Sequence, residues 1–261
     1  MLRLLVRQEY KDAVDKAQGL IQEKLKDHLL KFEDSIAADD MMDHMIKKVH
    51  TTADVKSAFY KDAGYAAIIN LFSDLFVTGA ETTATTLSWL MFLMILHPEV
   101  QDKVHQELDT ILGAKDYASL SDVQEAPYTR AVILEAHRIG AIVGHSMYHT
   151  VLNDMELGKY KLPKGTIWLP EYTMIMWNPD YFPSPEKFDP ARFLDKDGHF
   201  KPDEHVVQYG IGRRECPGQM TADLELALFF TGLMKNFKVS KVLIKDIRSM
   251  EKKMNMLNHM I

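Results

Sequence analysis

The sequence predicts a mainly α fold with a small β region. Apolar residues recur at three- and four-residue spacing through the first half of the chain and again near its end. Turn residues cut 142–170 into short strand-like pieces, and five of the ten prolines crowd between Pro179 and Pro202, where they preclude a regular element. At 261 residues, 46% of them hydrophobic, the chain is long enough to bury a sizeable core.

Residues 8–32 place Val14, Ala17, Ile21, Leu25 and Leu29 between charges, the pattern of an amphipathic helix. A short helix is expected over about 39–49. One long helix follows over about 56–97, apolar at both ends and polar in the middle, where Asp74 precedes Thr78-Gly79-Ala80-Glu81-Thr82-Thr83. That middle disfavours a helix, because Gly79 costs about 1 kcal/mol relative to alanine and threonine is stiff at χ1. It reads either as a kink whose side chains reach a ligand or as a threonine face bonded back to its own carbonyls. Pro98 and Pro127 each suit the first position of a further helix, and Gly113 and Gly140 end them. The second of these runs over about 127–139. A small sheet over about 142–170, an irregular coil over about 178–208, a glycine loop at 209–218 and a closing helix over about 219–237 complete the order. The closing helix is apolar at Leu224, Leu228, Phe229 and Leu233.

Composition excludes several classes. A net charge of −6 argues against a general nucleic-acid binder. A single cysteine forbids an internal disulfide and any Cys-x-x-Cys site. The longest uninterrupted apolar run, Leu90 to Leu96, is short of the roughly 20 residues of a membrane span, and Met1 to Val6 lacks a signal-peptide core, so no anchor is expected within the chain.

Cys216 stands in Tyr209-Gly210-Ile211-Gly212-Arg213-Arg214-Glu215-Cys216-Pro217-Gly218, directly before the closing helix. Glycines keep the loop free of Cβ bulk, so a large planar ligand can approach the backbone. A helix N-terminus and two arginines favour a thiolate, which suits a metal ligand better than a buried hydrophobe. Glu135 and Arg138 share a helix face at i,i+3. Alone they would be a weak surface pair. Arg192, in Phe188-Asp189-Pro190-Ala191-Arg192-Phe193, could close the carboxylate between two guanidinium groups and lock the coil leading to Cys216.

Taken together, the polar helix centre, the Glu135-x-x-Arg138 helix, the Pro-x-Arg-Phe coil and the Gly-x-Arg-x-Cys-x-Gly loop resemble the cytochrome P450 family in order and spacing. The resemblance covers about 10–239 and is nearest to the C-terminal half of a microsomal animal member. It implies a single domain over 1–261 lacking the N-terminal half, and haem b held by Cys216 as the axial thiolate to iron. It also implies Arg214 and His149 as propionate partners, with Gly210, Gly212 and Gly218 shaping the loop. Glu135, Arg138 and Arg192 would form the structural triad, and Glu81 with Thr82 the acid and alcohol that deliver protons to bound dioxygen, through a buried hydroxyl. The implied reaction is insertion of one oxygen atom into a lipophilic substrate of steroid, fatty-acid or xenobiotic class. Reducing equivalents would come from NADPH through a flavoprotein reductase, at the cytosolic face of the endoplasmic reticulum membrane, with no nucleic-acid partner.

Departures from the family pattern are specific. Tyr209 stands for the usual Phe, Ala191 for a common Glu, and Glu215 puts a carboxylate beside the thiolate. The segment 142–148 lacks the usual prolines, and the tail after Val239 is basic and methionine-rich. A different class, a non-catalytic relic or helical interaction protein without stable haem, is the competing reading.

Overall fold

The computed structural model describes residues 2–33 and 38–241, and the chain divides into two compact units, Met1–Glu81 and Thr82–Ile261. The methionine-rich tail beyond residue 241 lies outside the described residues. The first unit holds α1 (Leu2–Lys31), α2 (Met41–Thr51) and the start of α3 (Lys61–Leu96). Asp40 caps α2 by accepting the Asp43 amide at 3.0 Å, satisfying one of the unpaired donors of a helix start. The core of this unit is Leu25 of α1, Met42, Ile46 and Val49 of α2, and Ile68 of α3. A Cβ at Gly64 would collide with the Val49 side chain and the Phe59 carbonyl, so glycine is what lets α3 begin so close to α2.

In the second unit, the C-terminal half of α3 packs with α4 (Pro98–Leu112), α6 (Pro127–Gly140) and α8 (Gln219–Asn236). Leu90, Leu93 and Met94 meet Val104 and Leu108 of α4, Val132 and Ala136 of α6, and Phe230 and Met234 of α8. Such a layer excludes water from several faces at once, which is the main favourable contribution to its stability. Gln101 is buried and uses both ends of its amide to bind α3 and the segment that follows α8. Its nitrogen donates to the Met94 and Val239 carbonyls, and its oxygen accepts the Val239 amide at 2.8 Å.

The proline-started helix α6 has no side-chain cap of its own. Glu107 of α4 supplies one, accepting the Tyr128 amide at 2.8 Å and the Thr129 amide and hydroxyl at 2.7 Å each. An anion held by unpaired amides at a helix N-terminus also complements the helix dipole. Between α4 and α6 lies a short helix, α5 (Leu120–Gln124), which apolar periodicity passes over because it is barely one turn long. Its start is a capping box of Ser119 and Asp122.

Three features refine the expected order of elements. The small sheet is two separate antiparallel pairs, β1 (His149–Thr150) with β4 (Ile167–Trp168) and β2 (Met155–Leu157) with β3 (Tyr160–Leu162), because strands of two or three residues cannot carry a shared ladder. The closing helix buries Leu226, Phe230, Thr231 and Met234, whereas Leu224, Leu228 and Phe229 are exposed. This helix is apolar nearly all round, so periodicity could not choose the face that α4 and α6 cover. Finally, α3 is an uninterrupted helix that is long and apolar enough to cross a membrane by length and composition alone. Its charged centre, Asp74 and Glu81, still keeps the longest uninterrupted apolar run short.

The coil over 178–208 follows α7 (Thr173–Met176) and contains one 3-10 turn, Pro190–Phe193, started by Asp189 accepting the Ala191 amide. Phe182 and Phe193 meet edge to face against Ala131 of α6. The coil is thereby pinned to the helix that carries the ion pair described next.

Candidate functional site

Glu135 and Arg138 are fully buried on α6 and form a fork-to-fork pair. Arg138 Nε donates to Glu135 Oε2 at 2.7 Å and Nη2 to Oε1 at 2.9 Å. The rest of the guanidinium serves the coil: Nη1 donates to the Met176 carbonyl at 3.0 Å, and Nη2 to those of Pro185 at 2.8 Å and Lys187 at 3.2 Å. Glu135 Oε1 in turn accepts the Asp189 amide at 2.9 Å. Burial pushes the Glu135 carboxyl up, and Arg138, the Asp189 amide and Arg192 all act against that.

Arg192 completes the group differently from the expectation. Its Nε stands 3.5 Å from Glu135 Oε1 as an ion pair and not an aligned hydrogen bond, while Nη1 and Nη2 donate to the Pro183 and Ser184 carbonyls at 2.6 and 2.8 Å. The two arginines therefore act chiefly as donors to a coil that has no ladder of its own to satisfy its carbonyls.

The loop after this coil presents Cys216. Gly210 and Gly212 both have φ of +76°, the left-handed region, and a side chain on Gly210 would strike the Tyr172 hydroxyl. The Cys216 amide donates to the Tyr209 carbonyl at 2.8 Å, and a 3-10 turn at Gly212–Arg214 bends the chain between them. Gly218 is the N-cap of α8, and a Cβ there would lie 3.9 Å from the Cys216 Sγ. The thiol is exposed, as are Ile211, Met220, Arg213, Arg214 and Glu215. Glu215 thus keeps its charge solvated, which weakens its effect on a neighbouring thiolate.

Three features of this region were not anticipated. Tyr209 donates its hydroxyl to Asp223 Oδ1 of α8 at 2.6 Å, and burial, then Asp223, pushes the phenol above its ordinary range. Its ring lies 5.5 Å from that of His137 on α6. His137 is buried, its Nε2 has no hydrogen-bond partner among the described residues, and desolvation lowers its pKa from 6.5 to about 4. The Tyr-for-Phe departure was visible in the sequence, but its partner fourteen residues away across an irregular loop was not.

His149 opens β1 and rests against Trp168 with ring centroids 5.1 Å apart. Its Nδ1 donates to the Met147 carbonyl at 2.7 Å, which orients the ring. On α3, Glu81 and Thr82 are exposed, so the expected buried hydroxyl is not found. Around them Thr78 and Thr86 donate to the carbonyls of Asp74 and Thr82 at 2.7 and 2.9 Å, so part of the threonine-rich face does bond back to its own helix.

The donor set of the loop fits haem. It offers one accessible thiol of soft character, a backbone freed of Cβ bulk at Gly212, exposed apolar Ile211 and Met220 on either side of the cysteine in sequence, and arginines that meet no carboxylate among the described residues.

The family model described as Cytochrome P450 matches residues 1–260. The chain is 38% identical over 232 residues to Cytochrome P450 2C23 of Rattus norvegicus, covering 88% of this chain and 46% of the relative. It is 36% identical over 231 residues to Cytochrome P450 2C44 of Mus musculus, with the same coverage of 88% and 46%. To Cytochrome P450 2C8 of Homo sapiens it is 34% identical over 225 residues, covering 86% and 45%. The chain spans about half the length of the curated relatives it matches.

Two outcomes follow from the geometry. Arg138→Lys removes the fork and the carbonyl donors while leaving Glu135 buried, and should cost about 3 kcal/mol in urea unfolding; a loss below about 1 kcal/mol would show that the pair does not anchor the coil. His137 has a folded pKa below its unfolded value, so stability is complete above pH 6.5 and falls as the pH drops toward 4. The slope is at most about 1.4 kcal/mol per pH unit. His137→Gln should flatten that fall when urea midpoints are compared at pH 7.5 and 5.

Proposed function

The chain belongs to the cytochrome P450 family, and from that premise we propose that it is the C-terminal half of a haem-thiolate monooxygenase domain acting on a lipophilic substrate. The observation that carries the reading is the Cys216 loop: a lone exposed thiol, placed by glycine geometry before α8, beside two exposed arginines. When bound, haem would supply the iron chemistry that inserts one atom of dioxygen into the substrate.

The chain's own residues have distinct tasks in this reading. Cys216 would hold the haem iron through its thiolate, and the amides and dipole at the start of α8 favour its negative charge. Arg214 and His149 take the haem propionates. Glu81 and Thr82, which meet solvent on α3, would supply protons from that side, the carboxylate resupplying the hydroxyl. Glu135, Arg138 and Arg192 touch none of the reacting atoms; they hold the coil whose end sets the start of the loop. A flavoprotein reductase drawing on NADPH would dock on the Cys216 side, where Arg213 and Arg214 provide local positive charge. A steroid, fatty acid or xenobiotic fits the reaction class, and membership of the family supports the endoplasmic reticulum membrane as the location.

The test is the spectrum of the reduced, carbon monoxide-bound chain after supply of haem. The red-shifted Soret band of thiolate ligation is expected, and Cys216→Ala should abolish it. A folded chain that takes up no haem would replace this reading with that of a helical interaction protein. Thr82→Ala should keep the band and uncouple oxygen consumption from product formation, measured as the ratio of the two.

A further inference from the structure

We propose that Tyr209 and Asp223 form a clasp that positions Cys216. Tyr209 stands seven residues before the cysteine and Asp223 seven after it, and the phenol donates to Asp223 Oδ1 at 2.6 Å. The hydrogen bond thus closes a loop whose midpoint is the thiol. Tyr209 also holds Cys216 directly, since its carbonyl accepts the Cys216 amide at 2.8 Å. The side chain is tied to α8 and the main chain to the cysteine, so one residue couples the thiol to the helix that follows it.

The loop needs such a tie. Gly210 and Gly212 have no Cβ to restrict them, and no side-chain hydrogen bond caps the N-terminus of α8. The other contact of the Tyr209 ring is with His137, next to the buried Glu135–Arg138 group, so the clasp joins the loop to both α6 and α8. The residue usual in the family at position 209, phenylalanine, can fill the same space but cannot donate to Asp223.

The role toward the metal ligand rests on the haem-thiolate reading, whereas the clasp itself can be tested without haem. Hydrogen exchange at the Cys216 amide of the 261-residue chain should accelerate about tenfold in Tyr209→Phe and in Asp223→Ala, the worth of one hydrogen bond to a charged group. The double variant should be no faster than either single one. Asp223→Asn, which keeps an acceptor oxygen, should restore most of the protection, and the core amides of Val132 and Ala136 should be unchanged. Unaltered exchange in Tyr209→Phe, or additive effects in the double variant, would overturn the clasp. In the haem-loaded chain, both single variants should lower the fraction of the reduced carbon monoxide complex that shows the thiolate band. Faster exchange with an undiminished thiolate fraction would overturn the positioning role. Failure of the unaltered chain to bind haem would sink the haem-thiolate reading and leave the exchange result to decide the clasp.

Discussion

A single buried ion pair sets the geometry on which the Cys216 side of this protein depends. Glu135 and Arg138 satisfy each other inside α6, yet most of what they hold is backbone: carbonyls at Met176, Pro185 and Lys187 and the amide of Asp189. The prolines of this stretch deny it a ladder, so its carbonyls need donors from elsewhere. Two charges taken out of water cost free energy to bury, and a pair kept for that reason alone would gain little over apolar residues of similar size. Here the pair does what apolar residues could not, because it gives an irregular coil one shape.

The Cys216 loop shows the same principle at smaller scale. Two left-handed glycines and a 3-10 turn bend it, and neither device stiffens it. Rigidity enters through contacts to helices on either side: the Tyr172 hydroxyl fills the space beside Gly210, and Tyr209 reaches Asp223. A metal ligand must be held close to its productive position, and loops do this poorly unless neighbouring elements support them. Coil, loop and α8 therefore form one mechanical series that begins at α6.

On α3 the balance differs. Its glycine and threonines weaken it locally, yet it runs unbroken from Lys61 to Leu96, and threonine hydroxyls return hydrogen bonds to preceding carbonyls. The apolar ends overcome the poor propensity of the middle, since packing of Ile68 at one end and of Leu90, Leu93 and Met94 at the other outweighs a few tenths of a kcal/mol per threonine. A polar centre within an otherwise apolar helix is what a proton-handling role would require, and in this chain Glu81 and Thr82 meet solvent.

What the sequence determined by itself was whatever depends on residue type and short spacing. Helix starts at Pro98 and Pro127, the i,i+3 placement of Glu135 and Arg138 and the glycine freedom around Cys216 were all legible, because each is a local property of the chain. Tertiary structure decided everything that needed a partner far along it. Glu107 caps a helix about twenty residues later, Arg192 binds carbonyls more than the carboxylate, and α8 buries Phe230 where Phe229 was equally apolar. Tyr209 finds Asp223 only once the loop has folded back on α8. Periodicity reports which faces could be buried; which of them are buried, and which donor meets which acceptor, depends on how irregular segments bring distant residues together, and no spacing rule encodes that.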